Sequence, residues 1–160
     1  SMADTREERF MRMTLELAIE NVKSGKGGPF AAIVVRGDEV IASGTNQVTT
    51  TNDPTAHAEV SAIRAACARL DSFQLSGCEV YTSCEPCPMC LGALYWARPD
   101  HIYFCATRDD AAASGFDDSF IYDEVVREFG KRNIATNRIL PGEASRPFDA
   151  WEIKEDKIRY

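Results

Sequence analysis

Three candidate metal ligands set the strongest constraint on how this chain can fold. They are His57, within Thr55-Ala56-His57-Ala58-Glu59, and Cys87 and Cys90, within Ser83-Cys84-Glu85-Pro86-Cys87-Pro88-Met89-Cys90. A fold that joins them must bring two distant stretches to one ion. Cys87 and Cys90 are three apart around Pro88, a residue favoured in the first turn of a helix, so both thiols are predicted on one face near a helix N-terminus. Asp53-Pro54 reads as an N-cap and first helical residue, which puts His57 in the opening turn of a second helix. Exposed N–H groups and the positive end of the helix dipole lower a cysteine pKa, and the thiolate is the form that binds metal. Two helix starts are therefore predicted to face one zinc ion.

The number of ligands separates a structural site from a reactive one. A structural zinc takes four protein ligands, whereas a catalytic zinc takes three and keeps a position for water. Cys84 extends the three-residue repeat and would be the fourth ligand of a structural knot. It ends the strand-like run Cys78–Ser83 ahead of Pro86, however, and reads as a small buried apolar residue. One Zn²⁺, two thiolates and a neutral imidazole sum to zero, so the ion is able to acidify a water. Glu59 is not needed as a ligand and is the candidate to take that proton and hand it to a leaving amine. Positions two apart on a regular helix point to different sides, so Glu59 has to reach back along the first turn.

At 160 residues the chain fits one domain around a single core. Ser1-Met2 reads as a cloning remnant, and the charged start Arg6-Glu7-Glu8-Arg9 is not that of a signal peptide. The longest apolar run near the N-terminus, Phe30–Val35, is far shorter than the ~20 residues a bilayer requires, so no membrane partner is expected. Six cysteines without a secretion signal point to a reducing, cytoplasmic compartment, with Cys67, Cys78 and Cys105 as core residues rather than bridges. A net charge of -7 argues against a nucleic acid partner, which needs a basic footprint, and favours a small uncharged substrate.

Taken in order, Phe10, Met13, Leu17 and Ala18 form a helical core stripe that ends at Ser24-Gly25-Lys26-Gly27-Gly28. Gly27-Gly28 lacks the lysine of a phosphate loop and reads as a turn with close backbone approach. Phe30–Arg36 and Glu39–Ser43 are a hairpin closed at Gly37-Asp38. A polar loop, Thr45–Asp53, carries Asn46 and leads to the histidine helix, whose face is Val60, Ile63, Cys67 and Leu70. A strand at Cys78–Ser83, the cysteine helix through Trp96, and a strand at His101–Cys105 follow, with His101 a strand-entry residue rather than a ligand. Beyond them come a short helix at Asp109–Ala113, the loop Gly115-Phe116-Asp117-Asp118, a helix at Phe120–Phe129, a candidate last strand at Arg138–Leu140, and a docked, charged tail from Pro147 to Tyr160. The class is α/β, a mixed central sheet of about five strands between helical layers.

Over nearly its whole length the sequence resembles the small bacterial guanine deaminases of the cytidine-deaminase-like fold. The likeness rests on Asn52–Glu59, on Thr82–Ala93, and on Gly115-Phe116-Asp117-Asp118. H-x-E followed by P-C-x-x-C belongs to zinc-dependent base deaminases in general. The Gly-Phe-Asp-Asp loop and the terminal Arg159-Tyr160 select the guanine branch. The resemblance implies one zinc per subunit on His57, Cys87 and Cys90, with Glu59 as proton shuttle. It implies that Asn46, Asp118 and Tyr160 hold the purine, that Asp118 is a second acid, and that Phe30, Ala58 and Trp96 line the pocket. It also implies a homodimer that exchanges the segment 141–160, so that Tyr160 closes the partner's site. The implied reaction is attack of water on C2 of guanine, protonation of the ring by Glu59, and loss of ammonia to leave xanthine. Alternatives are a guanosine or other purine nucleoside deaminase, a tRNA adenosine deaminase, against which the acidic balance speaks, and a noncatalytic zinc-binding module in which Glu59 would be idle.

Overall fold

Alternation along Ala31-Ala32-Ile33-Val34-Val35 sends successive side chains into two different cores and so decides the layering. The computed structural model describes residues 3–160, and the Ser1-Met2 pair lies outside the described residues. Helix α1 (Arg6–Lys23) precedes strands β1 (Ala31–Arg36) and β2 (Glu39–Thr45). A short α2 (Val48–Thr51) and then α3 (Ala58–Leu70) lead to β3 (Glu79–Cys84); α4 (Pro88–Ala97) leads to β4 (His101–Ala106) and α5 (Arg108–Ala113). The sheet order is β2-β1-β3-β4, with β1 antiparallel to both neighbours and β3 parallel to β4. Ala32, Val34 and Val80 pack with Ala62 and Ala66 of α3 and Leu94 of α4, while Ile33, Val35 and Tyr81 pack on the other face with Phe10 of α1. The result is the expected three-layer mixed α/β fold.

Several local expectations are met by identifiable groups, and several are corrected. The hairpin closes at Gly37-Asp38, where Gly37 takes φ of 62°. Helix α1 starts at a reciprocal cap: the Thr5 hydroxyl accepts the Glu8 N–H and the Glu8 carboxylate accepts the Thr5 N–H. Its buried face is Phe10, Thr14, Ala18 and Asn21, whereas Met13 is 44% exposed. Thr14 fits there because its hydroxyl donates to the Phe10 carbonyl one turn back. The sheet has four strands rather than about five. Arg138–Leu140 is not a strand, because Leu140 takes φ of 51° and Pro141 opens a 3₁₀ turn, neither compatible with an extended ladder. Cys105 is exposed rather than part of the core.

Two compact units are separable, one ending at Asp118 and holding the sheet, the other running from Ser119 to Tyr160. The second begins earlier than the tail segment read from the sequence. It consists of α6 (Ser119–Val125), two 3₁₀ turns and α7 (Arg146–Ile153), and none of its residues is buried. Among the described residues no helix is long and apolar enough to cross a membrane.

Strand β2 and helix α3 meet at backbone level. A Cβ on Gly44 would lie 2.4 Å from the Ala58 carbonyl oxygen and 2.5 Å from the Ala62 nitrogen. Gly44→Ala must therefore push α3 away from the sheet, and overpacking of this kind is expected to destabilise by about 1–3 kcal/mol. At about 2–4 °C per kcal/mol for a chain of this size, a thermal melt resolves the loss; an unchanged Tm would mean that α3 sits further from the sheet.

Candidate active site

The two ligand segments reach each other through helix caps. His57 is the N-cap of α3, with extended φ and ψ of -71° and 154°, and its carbonyl accepts the Ser61 N–H. Asp53 does not cap this helix. Its carboxylate is used locally, accepting the Thr55 N–H at 2.8 Å and the Thr55 hydroxyl at 2.6 Å in a turn before the helix. Cys87 is the N-cap of α4, with Pro88 opening the helix and Cys90 inside its first turn. Neither the imidazole nor the Cys87 thiol caps its own helix, so both are available for a shared ligand.

His57 Nδ1 lies 3.6 Å from Cys87 Sγ and 3.5 Å from Cys90 Sγ, and the three ligand atoms fall within 4.8 Å of one another. Tetrahedral zinc with Zn–S of about 2.3 Å and Zn–N of about 2.0–2.1 Å requires N···S separations of about 3.6 Å. The donor set suits zinc, and both N···S separations match the expected value. The hydrogen bond from Cys90, with help from His57, holds the Cys87 thiol far below its ordinary range, and the hydrogen bond to Cys87 and burial push Cys90 up. A cation bound between the two sulfurs would favour both thiolates and displace a proton. Cys84 stands outside the cluster: its thiol faces the Thr107 carbonyl at 3.7 Å and is pushed up to about 11, chiefly by burial. His101 stacks on Tyr103, 4.1 Å between ring centroids, and takes no part in the cluster.

Glu59 is 7% exposed and its carboxyl is pushed up to about 7, first by burial and further by the Cys87 thiolate. The cap geometry removes the objection raised by its spacing from His57. Only Glu59 sits on the helix; His57 lies outside it on extended backbone, so the helical divergence of neighbours two apart does not apply. Asp118 is half-buried and raised by burial, again with the Cys87 thiolate adding to the shift.

The other site candidates divide into those brought near the cluster and those that are not. The Asn46 N–H donates to the Phe30 carbonyl at 3.1 Å, and the next residue, Gln47, donates to the Ala56 carbonyl at 3.0 Å, directly before His57. Phe30 meets Phe116 edge-on with centroids 4.9 Å apart, two residues from Asp118. Phe30, Asn46, His57 and Asp118 therefore come from adjoining segments. Ala58 is fully buried in the core below α3. Trp96 is not near the cluster: from Cys87 the helix climbs about 13 Å to reach it, at 1.5 Å per residue, and it is 65% exposed. Tyr160 belongs to the second unit and is 78% exposed.

Two residues gain a place that sequence reasoning did not assign. The Glu85 carboxylate accepts the Arg108 N–H at 3.0 Å and the Glu85 N–H donates to the Ala106 carbonyl at 2.8 Å, tying the segment before Asp118 to the cysteine motif. Its position inside that motif was the available signal. For Phe116 the loop motif gave its address but nothing about its partner.

The family described as the cytidine and deoxycytidylate deaminase zinc-binding region matches residues 4–106. The guanine deaminase of Bacillus subtilis (strain 168) is 51% identical over 96% of this chain and 98% of its own. The X-ray structure of guanine deaminase from that species superposes with a TM-score of 0.94 over the same shares of the two chains. A protein solved with 2,6-diaminopurine is 40% identical, with a TM-score of 0.67 over 74% of this chain and 65% of its own. The tRNA-specific adenosine deaminase of Aquifex aeolicus (strain VF5) is 41% identical, but over only 62% of this chain and 65% of its own. With the zinc-binding region matched across most of the sheet-bearing unit, and one relative followed almost from end to end, the chain belongs to the cytidine and deoxycytidylate deaminase zinc-binding family.

Proposed function

We propose that this protein hydrolyses guanine to xanthine and ammonia at the cluster of His57, Cys87 and Cys90. The observation that carries this reading is Glu59, a buried carboxyl pushed up to about 7 beside a three-ligand set. A structural zinc knot has no use for such a group. The choice of guanine follows the near full-length similarity to the Bacillus subtilis guanine deaminase, and the 2,6-diaminopurine held by another relative is also a 2-aminopurine.

A zinc ion on the three ligands supplies a Lewis acid that makes water acidic near neutral pH. Glu59 takes a proton from the attacking water and passes it to the purine ring nitrogen next to C2, then carries a second proton to the amine as the C2–N bond breaks. A carboxyl buried beside the ligand set, whose ionised form is disfavoured by burial, both accepts and gives such protons. Asp118 accepts a purine N–H and shares the protonation of the departing amine. Asn46 holds the base edge, Phe30 provides an apolar wall, and Ala58 stands at the first turn of α3 below it. Ammonia release on guanine, guanosine, adenosine and cytidine, measured side by side, tests the reading. Guanine alone is expected to react; guanosine alone would redraw the pocket, and silence on all four with zinc bound would favour a binding module.

The active form is a homodimer that exchanges its C-terminal segment, with one zinc per subunit and Tyr160 closing the partner's site. Support comes from the exposed apolar side chains of α4, Leu91, Tyr95 and Trp96, and from a second unit with no buried residue despite Phe120, Ile139, Phe148 and Ile158. Such surface calls for a cover, and it gives Trp96 a place at the partner's site. Six cysteines without a bridge suit the cytoplasm. Two defective chains, Glu59→Gln and one lacking its last five residues, are each expected to be nearly inactive. Refolded together they should regain activity, because the intact tail of the first closes the sound site of the second. No recovery on mixing would mean that each tail serves its own chain.

A further inference from the structure

We infer that Asn21 is a positioning residue for the substrate-binding loop: from α1, its amide clamps the carbonyls of Gly28 and Asn46 and so sets where Asn46 meets the purine. The inference rests on the reading above that Asn46 holds the base.

Asn21 is 2% exposed in the last turns of α1, on the opposite face of the sheet from α3 and α4. Its Nδ2 donates to the Gly28 carbonyl at 2.8 Å and to the Asn46 carbonyl at 2.9 Å. Both partners accept only, so the nitrogen must be the atom that faces them and both of its hydrogens are used. Its Oδ1 is buried without a hydrogen-bond partner among the described residues, so the side chain acts through these two bonds.

The bonds close a ring that ties Gly28, Phe30 and Asn46 to one another. The Phe30 N–H donates to the Gly28 carbonyl at 2.9 Å and the Asn46 N–H donates to the Phe30 carbonyl. Asn21 joins the two open ends. Asn46 is thereby held at its N–H by Phe30, at its carbonyl by Asn21, and at its side-chain Oδ1 by the Val48 N–H at 3.3 Å. Gly27 completes the fit, since a Cβ there would lie 2.1 Å from the Asn46 carbonyl oxygen. A loop this closely held places its amide with little freedom, and a displacement of about 1 Å at a binding group can lower turnover up to about 100-fold.

The test compares Asn21→Leu, Asn21→Asp, Gly27→Ala, Asn46→Ala and the double variant Asn21→Leu/Asn46→Ala in the zinc-loaded protein. Asn21→Leu keeps the volume and loses both donors. It is expected to raise the KM for guanine about tenfold, within the range such misplacement produces, with a smaller loss in kcat and unchanged zinc content. Asn21→Asp sets an oxygen against two carbonyl oxygens and should do worse. Gly27→Ala displaces the same carbonyl without touching α1 and should reproduce the KM effect even where an Asn21 variant folds poorly. In the Asn46→Ala background, Asn21→Leu should add less than about twofold, because residues acting as one unit are non-additive. A lowered Tm with unchanged KM, or effects that multiply in the double variant, would overturn the inference alone. An unchanged KM in Asn46→Ala would overturn the purine role of Asn46 and this inference with it.

Discussion

Glu59→Gln is expected to bind zinc like the parent chain and to release ammonia from guanine about 10³-fold more slowly, the scale of a positioned acid–base group. The amide matches the carboxyl in size and keeps its buried place at the start of α3. What it lacks is a proton to exchange. Burial disfavours the ionised carboxylate, which is why Glu59 is pushed up to about 7, so the neutral amide should leave the Tm no lower than that of the parent. Metal analysis, a melt and a single-turnover rate separate the possibilities. Retained turnover with full zinc would place the proton shuttle elsewhere, and Asp118 would be the next residue to change.

Cys87→Ser is expected to lose the metal and, with it, part of the fold. The sulfur is held low by Cys90 and His57, and Cys87 is the N-cap residue of the helix that also carries Cys90. Removing it breaks the bridge between the starts of α3 and α4. A ligand present at about a thousand times its Kd stabilises by about 4 kcal/mol, which in a chain of this size is about 8–16 °C in Tm. A chelator should lower the parent by that amount and leave Cys87→Ser unmoved. If the variant keeps stoichiometric zinc, Cys87 is not a ligand, and Cys84, facing the Thr107 carbonyl, would have to turn.

What could be read in advance follows the range of the interactions concerned. The hairpin at Gly37-Asp38, the start of α4 at Pro88 and the apolar run of β1 depend on a few neighbouring residues, and each is where the sequence puts it. Asp53-Pro54 carried the right residue types for a cap, but the Asp53 carboxylate found closer donors in Thr55. Arg138–Leu140 had the composition of a strand, but Leu140 takes φ of 51° and Pro141 turns the chain. Met13 had the right period for the core stripe, yet the contact went to Thr14, whose hydroxyl is satisfied within the helix.

The sequence by itself determined the ligand set, the three-layer α/β class and the chemistry they imply, because ligand type, helix starts and apolar strand runs are properties of residues a few positions apart. The tertiary structure alone decided that His57 stands outside its helix on extended backbone while Glu59 sits buried in its first turn. It also decided that Asn21 reaches across to the Asn46 carbonyl, and that Trp96 is left 65% exposed on α4. Those outcomes rest on hydrogen bonds and burial between segments far apart in the chain, whose geometry exists only once the sheet has brought them together.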